Sequence, residues 1–205
     1  MRRLLIPFAA ALGAAAMAAA AWAQAPAAPL AFTQIRGTVQ SLDGVKLVVL
    51  QKSGPVAVTL ADNWTVTLLK NVDVNSIQAG SFVGTTEVEK PDGTGVSQEV
   101  HVFPPGVKAG AGHYPWGSGG NAMMTNGDVT GVVKGAAGPQ LDIEYPGGKR
   151  HVTVPPGTPV VLFTTGDRAA IKPGLAVFVL AIKAADGGYG AGGVSIGENG
   201  KAPPM

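Results

Sequence analysis

The amino-acid sequence predicts an all-β protein: two tandem small OB-like β-barrels made by internal duplication, behind a cleaved signal peptide. Three observations predict this. Apolar and polar residues alternate with a period of two along most of the chain. The alternating runs are short, rich in Val, Ile and Thr, and broken by Gly, Pro and Asp. The whole pattern then recurs once, offset by 94 residues. Period-two alternation with β-branched enrichment marks half-buried strands. A repeat of this length marks a duplicated domain, because solenoid units recur every roughly 20 to 50 residues.

At the N-terminus, Arg2 and Arg3 precede the apolar run "LLIPFAAALGAAAMAAAAWA". A basic start, an Ala/Leu-rich middle and small residues at Ala21 and Ala23 flanking Trp22 form a secretory signal with an A-x-A cleavage site. The spacing places the cut after Ala23, giving a signal peptide at 1–23 and a flexible segment at 24–32. The competing reading, an uncleaved anchor, is disfavoured because Ala gains little from transfer into lipid and Pro7 disturbs a helix early. No Cys follows the run, which excludes lipidation of the new N-terminus.

The repeat needs no gap from Gly37 to Val102. Gly37 matches Gly131, Val39 Val133, Leu47 Leu141, Gly54 Gly148, and Val58-Thr59 match Val152-Thr153. Further on, Asp73 matches Asp167, Ile77 Ile171, Gly80 Gly174, Val83 Val177, Asp92-Gly93 Asp186-Gly187, and Val100 Val194. In the first copy "TVQSLDGVKLVVL", "PVAVTL", "WTVTLL", "SFVGTTEV" and "VSQEVHV" read as strands. In the second, "DVTGVVKG", "QLDIEY", "RHVTV", "PVVLF", "LAVFVLAI" and "AGGVSIG" do so. About five short strands per copy suit a small OB-type barrel better than a sandwich. This predicts a first barrel at 33–102, a connector at 103–125, a second barrel at 126–198 and a flexible tail at 199–205. The "PDG" and "ADG" segments are hairpin turns, where Gly supplies a positive φ. "DVNSIQAG" and "DRAAIKPG" each predict one helical turn, capped by Asp73 or Asp167 and ended by Gly80 or Gly174. Leu47, Val49, Leu141 and Ile143 fall on the core face. Their outward neighbours are Val48 and Leu50 in one copy and Asp142 and Glu144 in the other. The apolar outward face at Val48 and Leu50 predicts contact with the other copy or with a second chain.

The chain carries 15 basic and 13 acidic residues, and loss of Arg2 and Arg3 leaves 13 of each. A neutral balance removes the electrostatic case for nucleic acid or an anionic membrane surface as partner. Cysteine is absent, so the chain has no disulfide and no thiolate site, and any metal ligands are His, Met or carboxylates. Catalytic signatures are missing as well: there is no G-x-S-x-G elbow, no H-E-x-x-H and no phosphate loop. The sequence therefore predicts a protein that is not an enzyme.

The connector "FPPGVKAGAGHYPWGSGGNAMM" concentrates ligand-like side chains among Gly and Pro. Three readings stand. In the first, Tyr114 and Trp116 fold back over a barrel mouth or the seam between copies, with His101 and His113 at the surface. In the second, His113, His101, Met123 and Met124 bind Cu(I) or a divalent ion such as Zn²⁺, since thioether and imidazole suit copper. In the third, Tyr114 and Trp116 anchor a protein or glycan, an envelope partner included. His151 reads as an exposed strand residue, and Asp142 with Glu144 as a poor chelate for a hard cation.

Gly37-x-Val39, the two "DG" turns, and "IKPG" followed by "AVFV" resemble an exported bacterial family of unknown function built on small β-barrel domains. With "HVFP", "GHYPW", "MTN" and "VPPGTPVV" added, the chain is similar to a two-domain proteobacterial subset that often carries the label "metal ABC transporter permease". The resemblance implies the fold and the compartment, and at most an association with metal transport. A permease needs several spans of about 20 apolar residues, and none follows the leader. The expected function is that of an exported periplasmic binding or interaction module, with a metal-binding accessory role as the alternative.

Overall fold

The computed structural model describes residues 32–117 and 121–204. The expected signal peptide at 1–23 and nearly all of the segment after it lie outside the described residues. The strands are β1 (Phe32–Asp43), β2 (Lys46–Gln51), β3 (Gly54–Asn71), β4 (Phe82–Glu89), β5 (Gly95–Val102) and β6 (Gly112–Pro115), followed by β7 (Ala122–Gly135), β8 (Gly138–Tyr145), β9 (Gly148–Thr153), β10 (Val160–Gly166), β11 (Ala176–Lys183) and β12 (Tyr189–Gly197). The protein is all-β, as its alternation predicts, and the three helical pieces among the described residues are single 3₁₀ turns.

Hydrogen bonding runs β12-β11-β1-β2-β3, and β12 returns to β3 in parallel from Tyr189↔Val58 to Gly197↔Leu69, which closes a five-stranded barrel. The remaining strands repeat this connectivity as β5-β4-β7-β8-β9, and here the return from β5 to β9 consists of Gly95↔Val152 and Val96↔Thr153 alone. Strand β10 pairs with β3 on one side and β5 on the other and joins the two rings. Inside the first ring lie Ile35, Leu47, Val49, Val58, Leu60 and Val179; inside the second lie Val83, Val100, Val129, Leu141, Ile143 and Val152.

The strands do not sort by copy. The sequence places one barrel within 33–102 and another within 126–198; instead β1 to β3 of the first copy close with β11 and β12 of the second, while β7 to β9 close with β4 and β5. The two copies exchange their last two strands. Hydrophobic alternation states which face of a strand is buried. It cannot choose between a strand and its repeat partner when both carry the same pattern.

Local signals fare differently. Asp73 and Asp167 accept from the backbone N–H groups of Asn75 and Ala169, as N-caps should. The turns they cap end at Ile77 and Ile171. Gly80 (φ 90°) and Gly174 (φ 87°) come three residues later and turn the chain into the next strand. "PDG" folds as expected: Gly93 N–H donates to the Lys90 carbonyl, Gly93 has φ 80°, and Asp92 accepts from Thr94. The runs "PVAVTL" and "WTVTLL" fuse into one 18-residue strand, β3. Their repeats β9 and β10 stay separate because Pro155 and Pro156 bring no N–H to a ladder. The connector is also shorter than 103–125, since 112–115 form β6 and β7 begins at Ala122. Leu47, Val49, Leu141 and Ile143 are fully buried, whereas outward-facing Leu50 is 48% exposed.

Candidate functional site

Outward side chains of both rings meet at a seam. On β1, Ile35 points into the first core, so its neighbours Gln34 and Arg36 point out. Arg36 donates to Gln34 Oε1 at 2.6 Å and lies over the Phe178 ring, 4.9 Å from its centroid. Across the seam, β5 carries a bulge: Thr86 pairs with Glu99 and Glu87 with Ser97, leaving Gln98 unpaired. Bulges re-aim side chains, and here Gln98 and Glu99 both line one small cavity. Gln34, Arg36 and Thr86 line it too, as does the indole of Trp116 from the connector, with Pro204 of the C-terminal tail at its edge. Its volume is about 250 Å³. Glu99 is held by His101, whose Nε2 lies 2.6 Å from Oε1. The His101 ring stacks on Phe163 of β10 at 5.1 Å. Desolvation lowers the Arg36 guanidinium from its ordinary value, and the nearby Glu99 carboxylate opposes that shift.

A second polar group fills the mouth of the second ring. Val83, Thr85 and Glu87 alternate along the inner face of β4, and Glu87 is 0% exposed. Its Oε1 accepts from Thr125 Oγ1 at 2.7 Å and from Arg150 Nε at 3.0 Å. Arg150 also reaches Glu89 at 3.0 Å and donates to the Gly93 carbonyl at 3.0 Å. Gly95 makes this possible, because a Cβ there would sit 1.5 Å from Glu87 Oε2. Strand β6 covers the mouth with His113, whose ring stacks on Tyr145 at 6.1 Å. His113 Nδ1 lies 2.8 Å from Thr125 Oγ1. The hydroxyl proton of Thr125 is given to Glu87, so His113 Nδ1 is the donor in that contact. His113 further lies 3.4 Å from both Glu87 and Glu89.

The four residues expected as metal ligands do not gather at one point: His113 and Met123 share a face of the β6–β7 ladder, while His101 lies in the seam and Met124 on the opposite face. His101 sits in the seam with Glu99, and His113 faces the ring mouth. Met123 pairs with Pro115 and Met124 with Tyr114. As neighbours on an extended strand they point to opposite faces, and Met124 is buried. No group of three or more His, Cys, Asp or Glu among the described residues could hold a metal ion. At the mouth, Arg150 already supplies the positive charge opposite both carboxylates. His151 is exposed and lies 2.6 Å from Asp142 Oδ1. The aromatic pair folds back: Tyr114 accepts from Asn126 at 2.9 Å, burial pushes its hydroxyl pKa up, and Trp116 meets Tyr114 edge-on at 6.5 Å.

Glu87, Arg150, Glu99, Gln34 and Arg36 were missed by sequence reasoning. For Glu87 a signal existed, since it is a carboxylate at an inward position of an alternating strand. The rest depend on strand neighbours that the sequence does not name. A wider depression of about 600 Å³ beside Phe82, Phe103 and Val107 has one cation on its rim, Lys108, already bound to Asp128 at 2.6 Å. Among the described residues no helix is long and apolar enough to cross a membrane. Comparison with family models, curated proteins and solved structures gives no match to this chain.

Proposed function

We propose that this chain is an exported, periplasmic, non-catalytic binding module: two OB-like barrels with exchanged strands that present a recognition site at their seam. One observation carries the reading. Side chains from β1, β4 and β5, the connector's Trp116 and the C-terminal tail converge on one cavity. Binding sites favour such junctions, where apolar surface meets a few convergent polar groups. Half-buried tryptophan is also a common anchor for a partner. The basic start at Arg2 and Arg3, the apolar run after it and the A-x-A pattern at Ala21 and Ala23 support the same compartment.

Photocrosslinking in exporting cells tests this. A photoreactive benzoylphenylalanine at Pro204, which is exposed at the edge of the cavity, inserts into C–H bonds of any occupant. The reading expects an adduct that Trp116→Ala removes. An adduct indifferent to Trp116, or none at all, counts against it.

A further inference from the structure

We infer that the seam cavity is a carbohydrate subsite that takes one neutral pyranose unit. This rests on the binding reading above and adds the ligand class.

The lining supplies the argument. Gln34, Arg36, Gln98 and Glu99 are planar side chains with their hydrogen-bonding atoms in one plane; Gln34 Oε1 is engaged by Arg36 and Glu99 Oε1 by His101, and Gln98 is exposed and lines the cavity with its amide. Trp116 adds an indole. A pyranose ring requires this mixture: adjacent hydroxyls that donate and accept in pairs, and a C–H face that packs on an aromatic ring. Size agrees. A cavity of about 250 Å³ corresponds to roughly eight waters at about 30 Å³ each. That suits one ring with its hydroxyls, and lies below the roughly 300 Å³ where larger organic ligands begin.

Charge separates a sugar from a small acid. Arg36 and Glu99 both face the cavity, so the lining carries one charge of each sign, and a carboxylate drawn to Arg36 would be repelled by Glu99. A neutral polyhydroxylated ligand meets no such conflict. Gln34 Nε2 is buried and has no hydrogen-bond partner among the described residues, although a buried amide donor is ordinarily satisfied; a turn of the side chain toward the cavity would give that donor to a ligand hydroxyl.

The duplication supplies an internal control. The repeat partners of Gln98 and Glu99 are Gly192 and Gly193, and strand register makes Met124 and Asn126 the counterparts of Gln34 and Arg36. The first ring therefore closes with glycines where the second ring carries Gln98 and Glu99. The barrel itself does not require those side chains.

The test is protein-observed NMR on the exported chain, titrated with methyl β-D-glucopyranoside, methyl N-acetyl-β-D-glucosaminide, cellotetraose, chitotetraose and, as a charged counter-probe, succinate. At least one neutral sugar should shift Gln34, Thr86, Gln98 and the Trp116 indole N–H, half-saturating below about 1 mM. Gln98→Ala should weaken this about tenfold, and Trp116→Ala should abolish it while the remaining spectrum stays dispersed. Absence of shifts with every sugar at about 10 mM overturns the carbohydrate class, as do shifts with succinate alone or sugar shifts that survive Trp116→Ala. If sugars fail while the Pro204 crosslink still depends on Trp116, the ligand class falls and the binding reading stands; if both fail, both fall.

Discussion

Replacing Arg150 by Met should lower stability by about 3–5 kcal/mol, the usual cost of stranding one member of a buried ion pair. The geometry favours the upper part of that range. Glu87 is completely buried, and the Arg150 guanidinium lies 3.0 Å from its Oε1. Without Arg150, the carboxylate keeps Thr125 and a longer contact to His113. The reciprocal change, Glu87→Leu, should cost less, because Arg150 retains Glu89, a partly exposed partner at 3.0 Å. In a chain of this size each kcal/mol moves the melting temperature by about 2–4 °C, so Arg150→Met should lose roughly 6–20 °C in a circular-dichroism melt. The double variant Glu87→Leu/Arg150→Met removes both charges, and should recover most of that loss, since apolar replacement of a buried pair is often neutral or stabilising. A loss below about 1 kcal/mol for Arg150→Met would refute the reasoning, for it would place the pair among exposed ion pairs. A double variant no more stable than Arg150→Met would refute it as well.

Three further outcomes follow from the same contacts. Gly95→Ala should cost about 1–3 kcal/mol by overpacking against Glu87, and within about 0.5 kcal/mol of nothing in a Glu87→Ala background, as read from denaturant melts; equal costs in both backgrounds would separate the two residues. Cutting the connector between Gly117 and Asn121 should leave the two fragments co-eluting on size exclusion under native conditions, because each ring needs strands from both fragments; separation into half-size species would contradict the exchange. Burial raises the folded-state pKa of Tyr114 above its unfolded value, so its contribution to stability is complete below the ordinary tyrosine pKa of about 10 and declines as pH rises through the folded value; an ultraviolet difference titration compared with Tyr114→Phe should show that late-ionising hydroxyl.

What the sequence discloses and what it withholds have a common cause. Leu47 and Val49, or Asp73 and Gly93, are read from residues a few places away, and the structure places each as its neighbours require. Pairing across the copies is another matter. Val83 and Val177 occupy equivalent positions, as do Val100 and Val194, and all four are buried. A pattern satisfied equally by either closure carries no information about which forms. The seam cavity inherits this blindness, because Gln34 and Gln98 meet only once the rings have been assigned their strands.

The choice between closures rests instead on positions where the copies differ. Glu87 and Gly95 stand in the first copy where Ala181 and Tyr189 stand in the second; Arg150 stands in the second where Val56 stands in the first. With strands exchanged, Glu87 meets Arg150 over Gly95, while Ala181, Tyr189 and Val56 join one apolar core. Closing each copy on itself would instead set Glu87 beside Val56 and Arg150 beside Ala181 and Tyr189, burying two charges in separate rings without partners. Neutralising or desolvating each would cost several kcal/mol, more than a ladder of two residue pairs returns. The buried pair thus acts as a register device, a role in which buried ionic groups are best attested. It also sits where the backbone closure is thinnest: Arg150 ties β9 to β4 through Glu87 and Glu89, and to the β4–β5 turn through Gly93.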